Sequence, residues 1–404
     1  MDIQKLRADT PGCLQVTHLN NAGAALIPQA VIDVQRDYMN QEANYGGYET
    51  AAKFADELQT TYTRVARLIN AQPSEIALVE SATVAWGKAF FALDLQPGDR
   101  VATAMAEYAS NYINYLQAQK THGIKIEVVP NDKHGQLSLE ALEQLLAEDK
   151  ASEGKIKLIS ITHVPTNGGL VNPAEEVGKL AKKYGVLYLL DACQSVGQLP
   201  VDVQQIGCDM LSATGRKYLR APRGTGFLYV SERILQDLEP KVLDLTSAKW
   251  TAKSAYEMRT DGVRFENYEY NRANRLGLSE AVQYALDLGM ENIWQRIQQL
   301  GNLLRQRLVE LPNVQVYDLG LVKGGIVSWG IEGIPAEFVV EKLREVQINT
   351  SLILESGTLL DMQERELPPL VRSSVHYYNT EEEIEKLCGE LKKVILLYSR
   401  IEHV

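Results

Sequence analysis

Residues Leu187–Val203 read LYLLDACQSVGQLPVDV, and residues Met210–Val230 read MLSATGRKYLRAPRGTGFLYV. Each stretch contains a short apolar run of strand length bounded by polar or Gly-rich residues. Asp191 closes the first run, and Lys217 stands in the loop after the next. Outward from here, runs rich in Val, Ile, Leu and Tyr alternate with longer helical patterns from about residue 55 to about residue 235. The rhythm predicts strands at Glu75–Val79, Arg100–Ala104, Lys125–Val129, Leu158–Thr162, Val186–Leu190, Met210–Ala213 and Gly226–Val230. Strands joined by helical crossovers make an α/β core with a mostly parallel, seven-stranded sheet. Ligands of such sheets bind outside the carboxyl ends of the strands, where Asp191 and Lys217 both fall. From about Ala273 the pattern becomes a long helix through Gly289, a second helix from Ile293 to Leu311, and then short strands and helices. That region reads as a smaller α+β C-terminal domain.

The chain has 404 residues, with 52 acidic against 41 basic side chains and a net charge of −11. A surface so acidic excludes general nucleic-acid binding. Its 45% hydrophobic and 23% charged residues are average for soluble globular proteins, and the length allows roughly two to three domains of about 150 residues each. Cys13, Cys193, Cys208 and Cys388 lie far apart, without C-x-x-C pairing and without His at metal-ligand spacing. Neither a disulfide framework nor a zinc site is expected, and a reducing cytoplasm is the expected compartment. The opening MDIQKLRADT has no apolar core of a signal peptide, and no apolar run approaches the roughly 18 residues of a spanning helix.

An acid and an amine at the ends of neighbouring strands suit one chemistry. A carboxylate beside a buried heteroaromatic nitrogen keeps that nitrogen protonated, and a lysine among cations loses its proton more easily. Arg216 and Arg220 flank Lys217. Alone, Asp191 reads as a turn cap and Lys217 as a solvated loop residue; together with phosphate-binding elements they describe a pyridoxal 5′-phosphate (PLP) site.

The strings D-A-C-Q-S-V-G and T-G-R-K-Y resemble the D-G-A-Q-S-V-G and S-G-H-K strings of class V aminotransferases. This fold-type I PLP group includes cysteine desulfurases, selenocysteine lyase, isopenicillin N epimerase and C–S lyases. HLNNAGAALIP (His18–Pro28), ESATVAW (Glu80–Trp86), AEYASN (Ala106–Asn111), THVPTNGGLVNP (Thr162–Pro173), RFE (Arg264–Glu266) and VRSSVHYYNTEEEIEKL (Val371–Leu387) match further family segments in order. The resemblance implies the PLP-dependent transferase fold: residues 1–25 packing on the small domain, a large cofactor domain over 26–272 and a small domain over 273–404. It also implies a homodimer with the active site near the subunit interface.

By the same resemblance, Lys217 would bind the cofactor as its Schiff-base lysine and then move protons as general acid and base. Asp191 would pair with the pyridinium nitrogen, and Gln194 would hydrogen-bond the ring's phenolate oxygen. Asn167, or its neighbour Thr166, would add a polar contact. Ala82 and Thr83 would meet the phosphate at the start of a helix expected over Val84–Leu93, aided by Thr214 and Arg216. Tyr108 replaces the family's ring-stacking His; a phenol stacks as well but carries no proton at neutral pH. Arg372 matches the arginine that binds the substrate's α-carboxylate through its planar fork. Asn21, and Tyr48 in YGGYETA (Tyr45–Ala51), would contact substrate, although that string also reads as a turn. His163 and His376 read as core or supporting histidines, and Cys193 as a small buried hydrophobe.

Two departures matter. Cysteine desulfurases carry a nucleophilic cysteine on a loop before the carboxylate-binding arginine, whereas Thr350–Leu370 here reads TSLILESGTLLDMQERELPPL. The family's R-F-E-x-G-T, whose Thr reaches the partner's phosphate, is here R-F-E-N-Y-E, Arg264–Glu269. A β-eliminating C–S lyase acting on a cysteine thioether, sulfoxide or disulfide is the leading expectation. Transamination, epimerisation and a non-catalytic protein on the same scaffold remain alternatives. The segment Glu355–Glu366 reads equally as a wall or as a lid.

Overall fold

Seven strands form the central sheet of the computed structural model, which describes residues 1–152 and 154–401. They are Ile76–Val79 (β1), Arg100–Ala104 (β2), Lys125–Val129 (β3), Ile156–Thr162 (β4), Leu187–Asp191 (β5), Met210–Thr214 (β6) and Gly226–Val230 (β7). Their order across the sheet is β1-β7-β6-β5-β4-β2-β3. Only β7 runs antiparallel to its neighbours. Each strand expected from the sequence is present, three with the expected bounds and four with bounds that move by one or two residues. The fifth shifts so that Asp191 becomes its last residue.

Apolar residues run on without polar alternation because both faces of the sheet are covered. Successive side chains of β5 therefore enter different cores: Tyr188 and Leu190 join one apolar cluster, Leu189 the other.

A second, antiparallel sheet is made of Val314–Val316 (β8), Ile326–Ile331 (β9), Ser351–Ile353 (β10) and Leu370–Ser374 (β11), in the order β8-β9-β11-β10. Helices Met290–Val309, Ala336–Glu345 and Glu381–Ile401 cover it and share a separate core with Val327, Trp329 and Val371.

The boundary expected at Ala273 cuts across this packing. Helix Arg272–Leu288 places Leu278, Ala281, Val282 and Ala285 in the large core, and the next helix bridges the two cores, with Ile293 and Ile297 in the large one and Leu300 and Leu304 in the small one. Nor does the N-terminal segment rest on the small unit alone. Thr17–His18 pairs with Ile348–Asn349 and Leu19 enters the small core, while Leu6, Cys13 and Ala22 belong to the large one. Among the described residues no helix is long and apolar enough to cross a membrane.

Candidate active site

Parallel β5 and β6 end side by side, with Asp191 opposite Ser212. The chain leaves β5 through a loop whose turn needs Gly197, at φ +86°; a Cβ there would lie 2.5 Å from the Tyr218 carbonyl carbon. This close approach seats the D-A-C-Q-S-V-G loop on the backbone just after Lys217. Asp191 is buried, and its carboxylate accepts from the Cys193 amide at 2.9 Å and from Asn111 Nδ2 at 2.8 Å.

Asp191, Cys193, Lys217 and Tyr108 line a cavity of about 130 Å³. The Tyr108 ring centroid lies 5.9 Å from Lys217 Nζ. Burial lowers the Lys217 pKa, the nearby Cys193 and Asp191 oppose that shift, and Arg216 and Arg372 add to it. Burial, followed by the Asp191 charge, raises the Cys193 thiol and keeps it protonated.

The same cavity includes an anion cradle. Helix Ala82–Ala92 starts two residues before the expected Val84, because Ser81 Oγ caps the Val84 amide at 3.2 Å. Ala82 and Thr83 then line the cavity from its first turn, where backbone amides lack partners within the helix. Gly226 lets this turn approach the sheet, since a Cβ there would lie 3.2 Å from the Ala82 nitrogen. Thr214 and Arg216 face the same space, and Arg216 Nη1 is buried with no hydrogen-bond partner among the described residues. An unpaired buried guanidinium nitrogen and a helix N-terminus lining one cavity fit a phosphate, and the acid, amine and aromatic ring that line it as well fit a pyridine aldehyde.

Arg372 lies on β11 and reaches the site from the small unit. It is buried, donating through Nη1 to Thr166 Oγ1 at 2.9 Å and through Nη2 to Asn20 Oδ1 at 3.3 Å. Thr166 Oγ1 also stands 3.4 Å from Gln194 Nε2, and Gln194 Oε1 is buried without a partner among the described residues.

The model of the family described as aminotransferase class-V matches residues 17–387. The chain belongs to the class V aminotransferase family. A probable cysteine desulfurase of Synechocystis sp. is 30% identical over 95% of this chain and 92% of its own length. One from Methanothermobacter thermautotrophicus is 27% identical, over 98% of each chain. Among solved structures, the cysteine desulfurase of Thermococcus onnurineus NA1 superposes with a TM-score of 0.88 at 25% identity, over 97% of each chain. The cystine C–S lyase C-DES, solved with its product cysteine persulfide, gives 0.84 at 23% identity, over 95% of this chain and 98% of its own; this second likeness concerns the fold. The protein is thus a PLP-dependent enzyme of the class V aminotransferase family, related to cysteine desulfurases.

Three expected contacts go elsewhere in this class V chain. Asn21 is fully buried and donates to the carbonyls of His18 and Ser374 and to Asn379 Oδ1, while Tyr378 hydroxyl binds its Oδ1. Its neighbour Asn20, bridged to Ser374, faces Arg372 instead, as alternation along an extended segment requires. Asn167 donates to Thr358 Oγ1 at 2.8 Å, leaving Thr166 as the polar group turned to Arg372 and Gln194. Tyr48 is 73% exposed on helix Gly47–Lys53 and does not line the cavity.

The two histidines are buried. His376 accepts the Tyr377 amide and contacts the Tyr218 carbonyl at 3.0 Å, and the His163 amide donates to the Asp191 carbonyl at 2.9 Å. Thr358 and Met362 bury the inner side of the segment Glu355–Glu366, and Arg365 ties it to the Tyr317 carbonyl at 2.5 Å. In R-F-E, Glu266 binds Arg275, Tyr62 hydroxyl and the Leu78 amide, all at 2.8 Å. Sequence reasoning assigned no role to Asn20, Glu107 or Asn111. AEYASN contains two of these, but their spacing alone does not reveal a contact with Asp191.

Proposed function

We propose that this enzyme is a β-eliminating C–S lyase. An amino acid with sulfur at Cβ, as thioether, sulfoxide or disulfide, reacts with water to give pyruvate, ammonia and the released sulfur compound. Bound PLP supplies an electron sink for the negative charge that develops at the substrate's α-carbon. Arg372 pairs with the α-carboxylate and orients the Cα–H bond. Lys217 Nζ takes the α-proton, its lowered pKa leaving more of the amine neutral. Asp191 holds a proton at the ring nitrogen, and Tyr108 covers one face of the ring against water.

The observation that carries the choice of reaction is the stretch between β10 and Arg372, which contains no cysteine. Cys388, the nearest beyond it, is buried in the small core on the terminal helix. Elimination needs no enzyme thiol. Desulfuration through an enzyme persulfide does, and the relatives' names alone do not separate the two. The test is a substrate panel of cysteine, cystine, cysteine S-conjugates and sulfoxides, alanine and glutamate. Pyruvate formed from the sulfur-substituted members alone supports the lyase; conversion of the cofactor to pyridoxamine phosphate without pyruvate makes it an aminotransferase.

The same reading includes a homodimer. Tyr45 and Tyr48 stand 67% and 73% exposed, beside a segment that carries Tyr268 at 44%. Solvent-facing aromatics in such a group suit a protein interface. A monomeric active species in solution scattering is the outcome that rejects it.

A further inference from the structure

Glu107 is a buried acid that no step above uses. It sits at the end of the loop after β2, next to Tyr108, which begins helix Ala109–His122. Four donors converge on its carboxylate: Thr162 Oγ1 at 2.6 Å, Asn111 Nδ2 at 2.8 Å, the Tyr108 amide at 2.9 Å and Thr103 Oγ1 at 3.0 Å. β2 and β4 are neighbours in the sheet, which is why a threonine from each can reach it. Asn111 gives its other amide hydrogen to Asp191 Oδ2, also at 2.8 Å. One NH2 group is thus clamped between two buried carboxylates, one of which lines the cavity that would hold the cofactor. The Tyr108 amide bond also fixes the backbone that carries the ring-covering phenol.

We propose that Glu107 is a positioning residue, which through Asn111 aims the Asp191 carboxylate and with its negative charge strengthens the hold of Asp191 on the ring-nitrogen proton. The inference goes beyond the choice between lyase, desulfurase and aminotransferase, since each needs that proton. The groups facing Glu107 are Asp191 on β5, Tyr115 on the following helix, and the neutral Thr103, Thr162 and Asn111. Burial pushes Glu107 up to about 7, with Asp191 adding to the rise and the hydrogen bonds opposing it. A carboxyl in that range alters its charge near neutral pH, so its effect on the cofactor is itself pH-dependent.

The experiment is a pH titration of the visible absorbance of the PLP-loaded enzyme, together with the dissociation constant for PLP. Glu107→Gln keeps the shape and removes the charge. The expected result is a midpoint lowered by about one pH unit, the size of effect a charge a few ångströms away exerts at a buried site. Asn111→Ala severs the link but leaves the charge, and in that background Glu107→Gln is expected to shift the midpoint by clearly less than it does in the wild type. If the folded Glu107→Gln holoenzyme titrates like the wild type, the proposal is overturned. It is equally overturned if the two substitutions shift the midpoint additively. Should Glu107→Gln not fold, Asn111→Ala alone decides, with an unmoved midpoint counting against the proposal. A purely structural glutamate would change melting temperature and leave the titration where it was.

Discussion

Arg372 Nη1 donates to Thr166 Oγ1 at 2.9 Å, joining a strand of the small sheet to the loop after β4 of the large one. The guanidinium proposed to bind the substrate carboxylate is thereby oriented before substrate arrives. Arg372→Lys keeps the charge but loses the fork, so KM for the amino acid should rise about tenfold or more, with the absorbance of bound PLP unchanged. Thr166→Val removes one hydrogen bond, worth about 1 kcal/mol, and should raise KM about fivefold. Steady-state kinetics on the best sulfur substrate measure both.

Lys217→Ala should lower kcat by about 10³-fold or more, as expected when the proton-transfer group is lost. The cavity walls remain, so the variant should still bind PLP, without the spectrum of a lysine-bound cofactor. Absorbance after reconstitution, beside single-turnover assays, separates the two effects.

Lys217 must be neutral to take the α-proton, and burial moves its pKa below that of an ordinary lysine. Activity should therefore rise with pH through a limb below the usual lysine range. Arg216 contributes to the lowering, so Arg216→Met should move that limb to higher pH. A kcat/KM profile of both enzymes checks the direction.

His163 is buried and its pKa falls from 6.5 to about 4 because burial disfavours the charged ring. Between those values the unfolded chain binds more protons than the folded one, so folding stability falls as pH drops from 6.5 towards 4. The loss from this group is on the order of 3 kcal/mol. His376 is lowered in the same direction by burial, with Arg220 adding to it. His163→Gln should flatten the acid limb in urea titrations without abolishing it.

Arg275 and Glu266 form a buried ion pair at 2.8 Å, with both side chains almost inaccessible. Arg275→Ala strands the Glu266 carboxylate and should destabilise the fold by about 3–5 kcal/mol. Arg275→Ala paired with Glu266→Gln should recover part of that loss, measured by denaturant unfolding.

The cofactor rested on the resemblance to class V aminotransferases, whereas local order along the chain was enough to reveal seven strands, the parallel α/β class and Asp191 and Lys217 as residues at or just beyond strand ends. Each of these depends on side-chain periodicity or on residues a few positions apart, and a strand followed by a Gly-rich loop is a local event. Partners across the sheet are not local. Thr103 and Thr162 meet at Glu107 only because β2 lies beside β4, and Asn111 meets Asp191 only because helix Ala109–His122 begins above β5. One residue of register decided that Asn20, and not Asn21, faces Arg372. Helix Arg272–Leu288 likewise took its place from the apolar surface it buries. Periodicity tells which face of an element is apolar; which neighbour covers that face is settled by strand order and packing, and those emerge only when the whole chain closes on itself.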